Sequence, residues 1–392
     1  MTAAHEKGGD GNALFAVFTS VAATGIVWGT MIPLLTVLME RDGVPASLIG
    51  LNSAMPVLAV LVTSRLMPWI GRSLGLAPAL FGGLFVIAAG ILAMNFFRDY
   101  GAWLVLRFAV GLAAAIHWIL SEAWINALSP PDRRGLYVGI YGTLILSGFA
   151  LGPIILSLIP IDGILPFALV AVCVLLSAIP LYLLRNQLPR FDDRPQHASL
   201  APLLLAPTVF IASVTSGLAD GALWTLLTVY GIDKGIGEAG ALHLLAALNI
   251  GTVLLQIPIG WLADRIGAPK VLVICGAVGL IGAPLLPLFI TGQPVLLLWA
   301  IVFVWGAFLA SLYTVGLIEL GRRFQGAALA DANALFVSGY CIGGLLGPLG
   351  AGLAMDATGP DALPASIMVV TLAFTAFALA QMAREPRPGP RP

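Results

Sequence analysis

Charge placed inside long apolar runs is the scarcest chemistry in this sequence. Arg107 lies within the run 102–126 and Asp220 within the run 203–230. At 1.5 Å of helix rise per residue, Arg107 falls about 8 Å and Asp220 about 15 Å from the outer ends of those runs. An aspartate so placed can exist as an anion or as a neutral acid; desolvation works against the anion, and a neighbouring guanidinium works for it. The two residues read as candidates for proton chemistry, with Asp220 as the titrating group and Arg107 as a charge that could partner it. The structural alternative is that Arg107 bonds carbonyls of neighbouring helices and Asp220 pairs with a serine. Isolated charges inside a membrane are functional by default, which favours the first reading.

Other polar residues suggest further roles. Glu122 and Glu319 each precede a basic pair, Arg133 and Arg134 in one case and Arg322 and Arg323 in the other. Exposed ion pairs are worth only about 0–1 kcal/mol each, which suits a gate that must open. Trp28, Thr30, Trp118, Tyr141, Trp224, Asn249, Gln256 and Trp305 are the aromatic and polar residues that could meet a cargo. A lining so apolar favours an amphipathic or hydrophobic organic solute over a sugar or a multiply charged ion, although tryptophans in membrane helices also serve as interfacial and packing residues. His117 reads as a packing histidine rather than a proton carrier, and His243 as a weaker candidate still. There is no P-loop, nucleophile elbow or cluster of His, Cys and Asp at metal or triad spacing. No enzyme activity, cofactor or metal is expected.

The elements that position these residues are membrane helices. Of the 392 residues 59% are hydrophobic and only 10% charged, against about a quarter charged in soluble domains. A zero net charge gives no reason to expect a nucleic-acid partner. Cys173, Cys275 and Cys341 all lie in apolar runs, as small buried hydrophobes. Runs long enough to cross a bilayer, about 20 residues each, fall at 13–39, 46–66, 76–96, 102–126, 136–159, 164–184, 203–230, 239–262, 270–291, 294–320, 328–353 and 364–383. The first is too long for a signal-peptide core and is expected to remain as a span. The fold class is thus an all-α integral membrane protein of twelve transmembrane helices.

Those helices form two halves. Gly111 is matched by Gly306, Gly148, Gly152 and Pro153 by Gly343, Gly347 and Pro348, Asn52 by Asn249, and Glu122 by Glu319, at offsets of 195 to 197 residues. Residues 1–184 and 201–392 are expected to be pseudo-symmetric six-helix bundles joined by a cytoplasmic linker at 185–200. An even number of spans per half relates them by an axis along the membrane normal, and repeats of this kind are typical of secondary transporters. Of the 19 Lys and Arg, all but Arg41, Arg98, Lys234 and the buried Arg107 fall on one side. The positive-inside rule makes that side, with both termini, cytoplasmic. A multi-pass monomer in the cell (inner) membrane follows.

Three motifs carry a family resemblance. Gly260, Asp264, Arg265, Gly267 and Lys270 resemble the G-x-x-x-D-R-x-G loop signature of the major facilitator superfamily. Arg107 and Gly111 are similar to its R-x-x-x-G motif, and Gly139, Gly148, Gly152 and Pro153 to the glycine-rich run of its drug/proton antiporter branch, with Leu156 and Ser157 where two further glycines would stand. The resemblance implies alternating access, a central cavity lined by spans 4 and 7 where Arg107 and Asp220 could pair, and a cytoplasmic lock. In that lock Asp264, held by Arg265, meets the start of span 5 near Gly135. The first-half loop has Ser64, Pro68 and Trp69 where Gly, Asp and Arg would be, with Gly71 retained, so the lock is one-sided. The Gly-Pro steps at 152 and 347 suggest helix bends. Proton-coupled efflux of a small organic solute is the expected function, with import or facilitated passage of a metabolite as the alternative. A membrane-embedded sensor or enzyme on the same scaffold is the remaining possibility, since fold alone does not establish function.

Overall fold

Helix is the outcome these sequences dictate, because a backbone that crosses hydrocarbon must satisfy its own N–H and C=O groups. The computed structural model describes residues 3–129, 134–183, 201–290 and 295–384, with side chains at most positions from Leu14 onward. The described residues form thirteen helices and no strand: α1 (Ala3–Arg41), α2 (Ala46–Ser73), α3 (Leu76–Phe96), α4 (Tyr100–Leu128), α5 (Arg134–Leu158), α6 (Leu165–Leu183), α7 (Ala201–Leu205), α8 (Pro207–Asp233), α9 (Gly237–Ile266), α10 (Ala268–Phe289), α11 (Val295–Arg323), α12 (Gly326–Thr358) and α13 (Ala362–Arg384). All except α7 are long and apolar enough to span a membrane, which makes twelve. Large apolar side chains such as Phe85, Leu158, Leu183, Ile257 and Leu296 are exposed on their outsides, as expected where lipid replaces water.

Two boundaries differ from the sequence expectation. The run starting at 203 is broken at Ala206, whose φ of −140° and ψ of 55° are not helical; the spanning helix starts at Pro207, where a missing N–H costs nothing. Between α2 and α3 the left-handed glycine is Gly75, with φ 77°, and Gly71 lies inside α2. The helix continues about one more turn than the motif implies, until a residue free of Cβ strain permits the reversal. Its counterpart in the second half is Gly267, with φ 94°, between α9 and α10.

Internal contacts divide the chain into two units, residues 1–44 with 51–194 and residues 45–50 with 195–392. In the first, α1 lies against α5 along a seam of glycines: a Cβ on Gly148 would come within 2.4 Å of Gly25 C, and one on Gly152 within 2.0 Å of Gly29 C. In the second, α8 and α12 do the same, with Gly343 against Val214 O, Gly347 against Leu218 O and Gly217 against Tyr340 O, at 2.3, 2.2 and 2.1 Å for the added Cβ. Small residues let helix backbones meet where no hydrophobic effect drives association. Both Pro153 and Pro348 sit inside continuous helices. Away from the seams, bulky residues fill the interior, including Trp124, Phe167 and Leu34 in the first unit and Trp305, Phe336 and Phe374 in the second.

Candidate functional site

The second unit places Asp220 in the middle of α8 with 6% of its surface exposed. Helical spacing puts Ser216 one turn before it, and its hydroxyl donates to Asp220 Oδ2 at 3.3 Å. The Tyr340 hydroxyl, from α12, donates to the same oxygen at 3.1 Å. The close approach of α12 to α8 at Gly217 is what brings Tyr340 within reach. Tyr313 of α11 packs edge-on against Tyr340, with ring centroids 4.9 Å apart. No basic side chain pairs with Asp220 among the described residues. A charged carboxylate here bears an intramembrane cost of roughly 2.5–3.5 kcal/mol, offset by two hydroxyl donors, and taking up a proton removes that cost. The serine partner that the structural reading anticipates is present; the tyrosine carries no signal in local sequence, being 120 residues away.

Arg107 lies in α4 of the first unit and is 3% exposed, with its Nε lacking a hydrogen-bond partner. On α2, Asn52 is fully buried, and neither its Nδ2 nor its Oδ1 has a partner. Leaving such groups unbonded costs about 1–3 kcal/mol each, and more for a charged one. His117, ten residues along α4 from Arg107, is fully satisfied instead: its Nε2 is hydrogen-bonded to Ser20 and its Nδ1 lies 3.2 Å from the Thr24 hydroxyl.

The expected cargo-lining residues are divided equally between the two units. Trp305 is a packing residue, 1% exposed, whose Nε1 donates to Gly279 O at 2.9 Å. Gly282 supplies the hollow, since a Cβ there would meet the indole at 2.2 Å. The ring occupies the contact of α10 with α11. Gln256 Nε2 donates to Thr314 Oγ1 at 2.6 Å, and Asn249 is buried and engaged by a neighbour. Trp224 is half-buried on α8, one turn past Asp220. In the first unit, Trp28 Nε1 and the fully buried Thr30 Oγ1 are unpartnered. Tyr141 is 6% exposed and lies within the electrostatic reach of Glu122, which accepts a hydrogen bond from the ring N–H of Trp118.

The loop motif is rearranged relative to expectation. Asp264 Oδ1 accepts from Arg322 Nη2 at 3.1 Å, and Glu319 Oε1 from Arg323 Nε at 2.7 Å, so the ends of α9 and α11 share a charge network. Arg265 does not hold Asp264; its guanidinium stacks on Trp261, 3.9 Å from the ring centroid. One helical position separates Arg265 from Asp264, which turns it towards the tryptophan one turn back rather than towards α11. Gly260 leaves open space beside Ile318, and Lys270 is exposed in the first turn of α10. Arg133 lies outside the described residues, as does the side chain of Arg134. Gly139 has nothing within 4 Å of a notional Cβ.

Comparison with known proteins agrees with this architecture. The family model described as Major Facilitator Superfamily matches residues 17–241 and 209–392. An uncharacterized MFS-type transporter of Bacillus subtilis (strain 168), YfkF, is 25% identical over 351 residues, covering 87% of this chain and 88% of that protein. The uncharacterized MFS-type transporter YcaD of Escherichia coli (strain K12 / DH10B) is 24% identical over 366 residues, covering 92% and 93%. Among solved structures, a mutant of the nucleoside transporter NupG superposes with a TM-score of 0.76 at 16% identity, over 94% of this chain and 99% of that one. A bacterial homolog of the human lysosomal transporter Spinster, inward-facing and unoccupied, gives 0.72 at 13% identity over 96% of each. Structural likeness at such identities concerns the fold alone.

Proposed function

The chain belongs to the major facilitator superfamily and is a membrane transporter, and we propose that it is a secondary transporter moving a small organic solute by alternating access, coupled to protons through Asp220. The observation that carries this reading is a buried carboxylate in a spanning helix whose partners are two hydroxyls and no cation. Such a group can be emptied and refilled with a proton without breaking an ion pair. Tyr340 and Ser216 hold the carboxyl group in place in either state, since a hydroxyl both donates and accepts. Arg107 is then free for the cargo, and the two charges act on different ligands. The Asp264–Arg322 and Glu319–Arg323 pairs join exposed arginines to their carboxylates and are individually weak, which suits a gate at the cytoplasmic ends of α9 and α11. The protein works as a monomer in the inner membrane with both termini cytoplasmic.

Export by proton antiport is the first reading of direction, supported by the antiporter-like glycine run in α5. Uptake is the second, favoured by a specific observation: the same close-packed seam recurs between α8 and α12, so packing accounts for the run in either half. Proteoliposomes with imposed pH gradients of both signs decide between them. Flux driven against the proton gradient's direction means antiport, and flux driven along it symport. If neither gradient alters flux, or if Asp220→Asn keeps the full pH dependence, Asp220 is not the coupling group.

A further inference from the structure

We propose that Arg107 and Asn52 form a binding site for an organic carboxylate that carries a neighbouring hydrogen-bond donor, a 2-hydroxy acid being the simplest example; this rests on the transport reading and names its class of cargo. Each residue stands one helical turn before a contact between α2 and α4. α2 and α4 run side by side: a Cβ on Gly111 would come within 2.6 Å of Pro56 Cα and 2.8 Å of Ala59 Cβ, and further along both helices the Thr63 hydroxyl reaches Leu112 O at 3.5 Å. One turn back from this contact, on the same facing stripes, come Asn52 before Pro56 and Arg107 before Gly111. Both are buried, and both leave polar atoms without partners. Among the described residues no carboxylate pairs with Arg107.

The unused atoms specify the ligand. Arg107 stays protonated at any physiological pH, and its free Nε–H belongs to the planar two-donor edge that matches a carboxylate. Asn52 offers an N–H donor at Nδ2 and, at Oδ1, an acceptor that needs a donor of its own. An anion without an O–H or N–H of its own, such as chloride or sulfate, would satisfy the guanidinium and leave Oδ1 unpaired. An uncharged polar molecule would leave the positive charge uncompensated. A carboxylate with an adjacent O–H or N–H answers both. In the second half the position of Arg107 is taken by Val302, fully buried, while Asn249, the match of Asn52, is already engaged.

The test is equilibrium binding by the purified full chain in detergent, with mandelate, phenylacetate and mandelamide as probes. Losing the hydroxyl should weaken binding about tenfold, and losing the charge tenfold to a hundredfold, the usual worth of one hydrogen bond and of a charge-assisted pair. In Arg107→Gln the preference for acid over amide should vanish. In Asn52→Leu the preference for mandelate over phenylacetate should vanish while the acid still outbinds the amide. Both variants remove unbonded buried groups, so their apparent melting temperatures should equal or exceed that of the parent, which separates lost binding from lost folding. Absence of mandelate binding, no preference for the acid in the parent, or an undiminished preference in Arg107→Gln overturns the proposal. Proton-driven flux alongside any of these results defeats the cargo class and leaves the transport reading standing. Arg107-dependent acid binding without flux under either gradient does the reverse.

Discussion

Substituting Gly152 by alanine tests whether the glycine run of α5 is a packing device. The added methyl would lie 2.0 Å from Gly29 C, 2.2 Å from Gly29 O and 2.5 Å from Thr30 N. Carbon atoms in contact prefer separations of about 3.5–4.0 Å, so α1 would have to retreat by roughly 1.5 Å. All three atoms are backbone, and no side-chain rotation relieves the clash. Overpacking of this kind costs about 1–3 kcal/mol, and the upper end applies because a retreat at Gly29 also loosens the neighbouring contact of Gly25 with Gly148. For a bundle of under about 200 residues, about 3 kcal/mol corresponds to a fall in Tm of roughly 6–12 °C. Gly347→Ala should fall comparably, since its methyl would lie 2.2 Å from Leu218 O, whereas Gly139→Ala has open space and should not lower the Tm, alanine being the better helix former by up to about 1 kcal/mol. Thermal unfolding followed by fluorescence-detected size exclusion reads all three. If Gly152→Ala melts with the parent, or Gly139→Ala falls as far, the seam does not hold the bundle together. If only the first-half substitution matters, the run has a role beyond packing.

Three further outcomes are expected. Tyr340→Phe removes the stronger-placed hydroxyl on Asp220 and should reduce proton-driven flux while leaving gradient-free exchange of cargo in proteoliposomes; a larger loss of exchange than of driven flux would detach Tyr340 from coupling. Arg322→Gln should change the labelling rate of a cysteine introduced at Lys270, and Arg265→Gln should not, because Asp264 is bonded to Arg322 while Arg265 stacks on Trp261; the opposite ranking would restore Arg265 as the holder. Trp305→Phe loses the bond to Gly279 and should cost about 1 kcal/mol without altering which solutes compete for transport, and altered competition would place Trp305 on the cargo path.

The spans are legible in the sequence because bilayer thickness fixes the length of an apolar run, and the twelve spanning helices fall within a few residues of those runs. Pairing within a half is not legible. Which arginine reaches Asp264 is decided by the rotation of α11 against α9, 58 residues away, and adjacency in sequence points to Arg265, the wrong one. The packing of Trp305 is likewise not legible: Gly279 and Gly282, three apart on α10, make the slot that takes its ring. Small residues at that spacing are the available signal.

The two halves of the repeat assign their chemistry differently, and the difference follows from where unbonded polarity is tolerated. In α8 the carboxylate is matched internally by Ser216 and Tyr340. In α2 and α4 the Arg107 Nε and the Asn52 amide have unfilled bonding positions, which water or a bound polar molecule could fill. A repeat that used one site twice would show the same pattern in both halves. Here Val302 and an engaged Asn249 close that position in the second unit, while Ala23, Val27 and Met31, all buried, lie in α1, the helix whose Ser20 bonds His117 of α4 in the first. Matching glycine seams thus recur in both units, while the buried carboxylate with its two hydroxyls lies in one and the unbonded guanidinium Nε and amide lie in the other.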